Sequence, residues 1–445
     1  MKLHTKILLG LVLGAGLGIG LNVLAHQVPW APSIVPVVDW IAGKVDWFAG
    51  NVASPVGQIF LRLLLMTVIP LVFCSITLGV AGLGDIRKVG RIGVRSIGYF
   101  LVSTAISATI GILLVNYVRP GEGLSPELRD RLMATYQSQV QGLGAGGTAK
   151  FGVDMLVNFF PRNPIQAAAT MDMIGLIVFS IIFGAALTLI PEDKVKPVVR
   201  VLDAVGEAIV KIIGMVMRLA PYGVFGLIFF VTWRLGLDIV FRLGAYVFVV
   251  LAGLVLHGVG SLSVLVRVAG GLRPTLFFSR IRDSIMTAFS TSSSNATLPT
   301  NIAVAEQELK IPPEIAGFVL PLGSTMCMNG TALFEGVTVL FLAQLFGISL
   351  DVPTQLVVIV MSVITAVGAA GVPGGSLPLL MVVLASVGVP PEGIGVVLGV
   401  DRILDMCRTT VNVVGDLTAV VYVARTESEW DPRAVGSAAA LAPAG

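Results

Sequence analysis

The stretch DRILDMCRTTVNVVGD (401–416) places Asp401, Arg402, Asp405, Arg408, Asn412 and Asp416 between two apolar runs, GIGVVLGV and LTAVVYVA. On a helix, residues three or four apart share a face. Asp405, Arg408, Thr409, Asn412 and Asp416 then form one polar stripe, with Asp401 and Arg402 nearer its N-terminal end. An ionised side chain at the centre of a membrane costs about 3 kcal/mol or more, and such residues usually mark a substrate or ion path. An arginine fork suits bidentate binding of a carboxylate. A carboxylate one turn away suits an ammonium group. Together they point to a zwitterionic ligand with an extra acidic group. Internal ion pairs would explain Asp405 and Arg408, but not an Asn and a second Asp further along the stripe.

Other polar interruptions add to this chemistry. STSSSNATLP (290–299) brings hydroxyls and backbone groups near a helix N-terminus, where partial positive charge favours anions. A serine nucleophile would need a base, and His4, His26 and His257 all lie outside such a motif, so hydrolysis is set aside. MCMNGT (326–331) breaks an apolar segment with Asn329 and Gly330. A helix interrupted there exposes carbonyl oxygens that can coordinate a hard cation such as sodium, although a simple kink gives the same pattern. Glu335, one turn on, reads equally as a proton carrier or as an ion-pair partner.

The elements that carry these groups are apolar. Of 445 residues, 55% are hydrophobic and 12% charged, with mean hydropathy +0.92; soluble domains carry roughly twice that charge fraction. Helical spans read as 5–25, 53–83, 88–118, 165–191, 200–232 and 238–268, against the about 20 residues that a hydrocarbon core requires. The first could pass for a signal peptide, but its length fits a span better. Lys and Arg gather in alternate loops (DIRKVGRIGVR, PEDKVKPVVR and RVAGGLRPTLFFSRIR), which places the N-terminus in the cytoplasm. A net charge of +3, with its basic residues between spans, argues against a nucleic-acid partner. Cys74, Cys327 and Cys407 lie in apolar stretches without metal or redox spacing, so no disulfide is expected.

Beyond residue 270 the pattern changes. Segments 274–309 and 354–389 are apolar at both ends and broken midway, by STSSSNATLP and by GAAGVPGGSLP. Gly and Pro at the centre free backbone groups that lipid cannot satisfy, so each segment reads as two short helices meeting at a tip. A polar-interrupted span follows each. Hairpin then span, repeated, is the pattern of an internal inverted repeat, whose discontinuous helices point to a binding site at the membrane midplane.

SSSNATLP, MNGTALFEG, GAAGVPGG and DMCRTTVNVVGD occur in the order and spacing of the glutamate/aspartate and dicarboxylate:cation symporters, the family of the excitatory amino-acid transporters. The resemblance, to prokaryotic-type members, runs from residue 5 to residue 426. It implies an all-α polytopic membrane protein with eight transmembrane helices and two re-entrant helical hairpins with inverted repeats. It also implies a homotrimer in the lipid bilayer of the inner cell membrane, both termini cytoplasmic, working as an elevator-type transporter. Scaffold helices 1–2 would occupy 1–85, transport-domain helix 3 86–120, and scaffold helices 4–5 121–235. Helix 6, hairpin one, helix 7, hairpin two and helix 8 of the transport domain would fill 236–426. Residues 427–445 are expected to be a disordered cytoplasmic tail.

Carried over position by position, the resemblance gives Arg408 and Thr331 the substrate's side-chain carboxylate and Asp405 its amine. Thr409 and Asn412 would contact the amino-acid backbone groups. Ser292 and Ser294 of hairpin one, with Val372 and Ser376 of hairpin two, would close over the substrate, hairpin two being the gate. Asp416 with backbone oxygens near Gly323, Cys327 and Asn412 resembles one sodium site. Thr325 and Met328 with backbone of Ala366, Val367 and Ala369 resembles a second.

Two departures stand out. The family's third sodium site uses an Asn and an Asp of an NMDGT motif; here it reads Cys327-Met328-Asn329-Gly330-Thr331. Ser103 and Thr104 suit the span-three share, but without an anionic ligand the site is expected to be lost. The family's second arginine is also missing, its two usual positions being Ser292 and Met406, while Arg402 is an added charge. The implied activity is not enzymatic. It is secondary active symport of aspartate or glutamate with sodium and/or protons as coupling ions, protons being a candidate load for Glu335, and with no cofactor. A C4-dicarboxylate:cation symporter of the same family, and an anion channel, are the competing readings.

Overall fold

The computed structural model describes residues 3–26, 28–81, 86–123, 160–170, 173–236, 238–369, 371–427, 430–433 and 435. Among the described residues every regular element is helical. Residues 124–159 of the expected range 121–235, and most of the tail, lie outside them.

The first apolar run forms α1 (Leu3–His26). Then α2 (Val35–Phe48), a wide turn at Ala49–Ala53, α3 (Ser54–Leu65) and α4 (Val68–Ala81) follow almost head to tail. No span is expected between 26 and 52, and α2 is therefore new. Asp39, Lys44 and Asp46 interrupt its apolar run, none of its side chains is buried, and Trp40 and Trp47 stay exposed. A helix of this kind suits a membrane–water interface.

α5 (Ile86–Val118) matches its expected span. The span read over 165–191 becomes α6 (Pro164–Ala169), capped by the Asn163 side chain, and α7 (Met173–Leu187). α8 (Glu192–Leu235) is longer than expected and holds Pro197 and Pro221. α9 (Asp238–Val255) continues through wide turns and α10 (Leu262–Leu265) to Gly270.

The first broken segment consists of α11 (Pro274–Arg280), α12 (Arg282–Thr291) and α13 (Ser294–Gln307). Its tip turns at Ser292, which takes a left-handed φ of 52°, and Ser293 caps α13 by accepting from the Ala296 N–H at 3.1 Å. After α14 (Pro313–Met326) and α15 (Asn329–Phe346), the second broken segment forms α16 (Val352–Val367) and α17 (Leu377–Ser386). Gly374, at φ 75°, supplies the turn between these two arms that side-chain-bearing residues resist. A short 3₁₀ turn at Pro391–Val396 leads to α18 (Leu398–Thr426). Both broken segments are thus helical hairpins.

Among the described residues six helices are long and apolar enough to cross a membrane: Thr5–Ala25, Val35–Leu78, Arg91–Val118, Glu192–Arg234, Asp238–Gly270 and Pro313–Phe346. The hairpin arms are shorter, so they need protein around them to satisfy their tips.

Packing forms two associations. α1 and α3 lie against α8, and α4 against α7. A Cβ at Gly10, Gly14 or Gly18 of α1 would run into α8 backbone; small residues at this spacing let two membrane helices approach closely. In the second association α5 runs along α15, while α12, α14 and α15 surround α18. Every residue of α15 except Gln344 is buried, the polar Asn329, Thr331, Glu335 and Thr338 included.

The tail is not free where it is described. Trp430 is buried and donates from Nε1 to the Leu309 carbonyl at 2.8 Å, and Val435 is buried against the same cluster. Glu427 pairs with Arg91 and Arg95 of α5 at 2.7 and 2.5 Å. The expectation of a disordered tail does not hold for these positions, because an aromatic and an aliphatic side chain find an apolar seat at the base of hairpin one.

Candidate functional site

The interruption MCMNGT positions the site. α14 ends at Met326 and α15 begins at Asn329, with Cys327 and Met328 in non-helical conformation. Gly330 lies against the backbone of Arg408, where an added Cβ would collide with the Arg408 carbonyl. Asn412, one turn along α18, secures the contact. Its Oδ1 accepts from the N–H of Gly330 at 2.7 Å and of Thr331 at 3.3 Å, and its Nδ2 donates to Thr331 Oγ1 and Met328 Sδ, each at 3.2 Å. These are the orphan donors of a helix start, satisfied by a side chain of another helix. Gly330→Ala is expected to cost about 1–3 kcal/mol by overpacking, read as a lower melting temperature of the detergent-purified protein.

Arg408 is 1% exposed, its guanidinium centred 4.0 Å from the Phe334 ring centroid. It donates to Asp405 Oδ1 from Nε at 3.2 Å and from Nη2 at 2.9 Å. Nη1 stands 2.9 Å from Asp401 Oδ1, though not aligned as a hydrogen bond. Asp405 Oδ2 accepts from the Gly374 N–H at 3.2 Å, so the tip of hairpin two already touches the candidate amine partner. The two tips also touch each other: Ser293 Oγ and the Asn295 N–H donate to the Gly371 carbonyl at 2.6 and 3.2 Å.

Ser292, Ser294, Thr331, Val372, Ser376, Asp405, Thr409 and Asn412 line one small cavity with Met328 and Ala369, and Arg408 lies behind Asp405. All the expected substrate residues are therefore brought to one place from four separate segments. The hydroxyls of Ser292 and Ser376 are buried without a hydrogen-bond partner, which leaves them free to meet a ligand.

The expected cation residues divide into two groups. Asp416 is fully buried, both its carboxylate oxygens lack a hydrogen-bond partner, and Oδ1 lies against Gly323. Cys327 is buried nearby, its Sγ 3.8 Å from Asn329 Oδ1. Thr325, Val367 and Ala369 border a second cavity of about 700 Å³ between α4, α8, α14 and the hairpin tips. Ala366 is buried beside them, and Met328 faces Asn412 instead. Thr104 Oγ1 and Ser103 Oγ donate to Asn329 Oδ1 at 2.8 and 3.3 Å, and Ser107 to the Asn329 carbonyl at 2.8 Å. Asn329 Oδ1 is thus a neutral acceptor that two hydroxyls satisfy. Glu335 is fully buried; Oε2 accepts from Thr365 Oγ1 of hairpin two at 2.6 Å and Oε1 has no partner.

Several contacts were not read from the sequence, which places Asp401 near the N-terminal end of the stripe without pairing it to Arg408. Asp401 faces Arg408 because seven residues are nearly two helical turns, a spacing that could have been read. Phe334 and Thr365 sit among apolar residues that carry no such signal.

A buried ionic grip beneath two hairpin tips, in a multi-pass helical membrane protein, is the architecture of a solute carrier. Over residues 3–426 the chain matches the sodium:dicarboxylate symporter family and belongs to it. It is 35% identical to the proton/glutamate-aspartate symporter of Escherichia coli (strain K12), over 86% of each chain. It is 33% identical to the proton/sodium-glutamate symport protein of Bacillus caldotenax, over 90% of this chain and 95% of that one. It is also 33% identical to the C4-dicarboxylate transport protein of Anaeromyxobacter sp. (strain K), over 85% of this chain and 84% of that one. The chain is a transporter of the symporter type, not an enzyme.

Proposed function

We propose that this protein takes up an acidic amino acid, aspartate or glutamate, by symport with a cation. The observation that carries the reading is the ion pair that Arg408 makes, from behind, with Asp405 on the wall of the cavity beneath the hairpin tips. A zwitterion with a second carboxylate can open this pair and satisfy both halves. Its side-chain carboxylate takes Arg408 and its amine takes Asp405, so no buried charge is left alone. A C4-dicarboxylate would take Arg408 and leave Asp405 without that amine, and breaking a buried pair costs about 3–5 kcal/mol. The relatives that carry glutamate and aspartate favour the same choice.

Asp405→Asn is accordingly expected to abolish L-aspartate uptake into proteoliposomes. If the variant loses aspartate uptake no more than succinate uptake, the amine assignment is wrong and the dicarboxylate reading replaces it.

For the ions, Asp416 with the broken helix would hold one sodium, and Thr325 with the hairpin-two backbone a second. The neutral Asn329 cluster supports loss of a third, leaving fewer sodium ions or a proton on Glu335 to drive transport. Substrate binding measured against sodium and against pH tests this. Coupling follows if cation and substrate together hold hairpin two closed, each raising the other's affinity by the same factor. In this reading the protein is an inner-membrane homotrimer with cytoplasmic termini. Residues 1–85 and 121–235 would be the fixed scaffold, and 86–120 with 236–426 the moving body.

A further inference from the structure

Arg402 lies one turn before Asp405 on α18, and its side chain is 17% exposed. Its Nη1 stands 3.6 Å from Asp405 Oδ2, the oxygen that also accepts from the Gly374 N–H of hairpin two. The other oxygen, Oδ1, is held by Arg408. Asp405 therefore sits between two arginines of its own helix, one on each oxygen. At 3.6 Å the Arg402 contact is ionic rather than a hydrogen bond.

We propose that Arg402 is a positioning residue for substrate binding. It holds Asp405 through Oδ2 while Arg408 releases Oδ1 to take the substrate's side-chain carboxylate. The inference rests on the acidic amino-acid reading above. When Arg408 turns to the substrate, Asp405 loses two charge-assisted hydrogen bonds on Oδ1. With nothing on Oδ2 but one backbone N–H, the carboxylate would be free to rotate away from the incoming amine. Arg402 keeps Oδ2 fixed, so Oδ1 is vacated in place and the amine meets it there. Charge balance points the same way. Asp401, Arg402, Asp405 and Arg408 sum to zero, and the substrate adds one negative charge. Without Arg402 the cluster is already negative before an anion arrives. The hairpin tip shares in this, because the Gly374 N–H closes on the same oxygen that Arg402 steadies.

The test is initial-rate L-aspartate uptake by proteoliposomes containing the full-length protein, comparing Arg402→Ala, Arg402→Gln and Arg402→Lys with wild type. Arg402→Ala and Arg402→Gln are expected to raise KM about tenfold, the scale of one charged contact, while Vmax stays within about twofold. Arg402→Lys, which keeps the charge, is expected to recover most of the affinity. Arg402→Gln fills nearly the same volume and guards against mere loss of packing. A KM within about twofold of wild type in Arg402→Ala, or equal recovery by Gln and Lys, overturns the proposal. A loss confined to Vmax overturns it as well. Failure of the underlying reading looks different: the wild-type protein itself would take up no L-aspartate.

Discussion

Replacing Arg408 with alanine is expected to abolish L-aspartate uptake, lowering Vmax/KM by roughly a hundredfold or more, as truncation of a buried charge partner does at binding sites. The side chain makes three kinds of contact that a substitution separates. Its fork spans Asp405 Oδ1, its Nη1 approaches Asp401, and its flat face covers Phe334. Alanine removes all three and leaves Asp401 and Asp405 buried without their shared cation, which destabilises by about 3–5 kcal/mol. A fall in melting temperature should therefore accompany the loss of transport. Arg408→Lys separates the two effects. Lysine keeps the positive charge between the aspartates but has neither the planar fork nor the face that stacks on an aromatic ring. It should restore much of the stability while leaving KM for aspartate well above wild type. Uptake by Arg408→Ala with KM within about threefold of wild type would remove Arg408 from the substrate grip.

That pairing shows how far the sequence could be read. The stripe Asp405, Arg408, Thr409, Asn412, Asp416 is legible because helical periodicity alone gathers it on one face. The hairpins are legible because small and polar residues, with Gly and Pro in the second, interrupt apolar segments midway. The contacts between stripe and hairpins are not. That Gly371 accepts from Ser293 depends on two tips meeting from segments 78 residues apart, and that Gly374 donates to Asp405 depends on a tip meeting a helix 31 residues further along the chain. Periodicity says nothing across that distance. α2 escaped notice for the opposite reason. Its three charged residues interrupt the apolar run from which a span is read, while its exposed Trp residues suit a membrane–water interface. The seat of Trp430 likewise could not be read, since a lone aromatic in a polar, Ala-rich tail gives no hint of the apolar hollow that receives it.

Glu335→Gln is expected to abolish accumulation of substrate driven by an inward proton gradient while preserving counterflow exchange of internal for external aspartate. The reason lies in where the carboxyl sits. Its Oε2 accepts from Thr365 on the hairpin-two arm α16, its Oε1 is unpartnered, and its neighbour Phe334 carries the Arg408 guanidinium on its ring. It thus lies between the hairpin-two arm α16 and the Phe334 ring that Arg408 covers. If hairpin two swings open, the Thr365 contact goes with it and the carboxyl meets water. When the hairpin closes, the group is again sealed and can carry a proton only on the free Oε1. Glutamine keeps the volume and the oxygen that accepts from Thr365, so the gate should still close and exchange should persist. It lacks only the group that binds and releases a proton, and net uptake on a proton gradient requires that release. Accumulation by Glu335→Gln equal to wild type under a proton gradient would exclude Glu335 as the carrier. Wild-type uptake that depends strictly on sodium and ignores a proton gradient would do so too. The Thr365 hydrogen bond would then be a latch that holds hairpin two shut, and the variant's expected phenotype would move from ion coupling to substrate affinity.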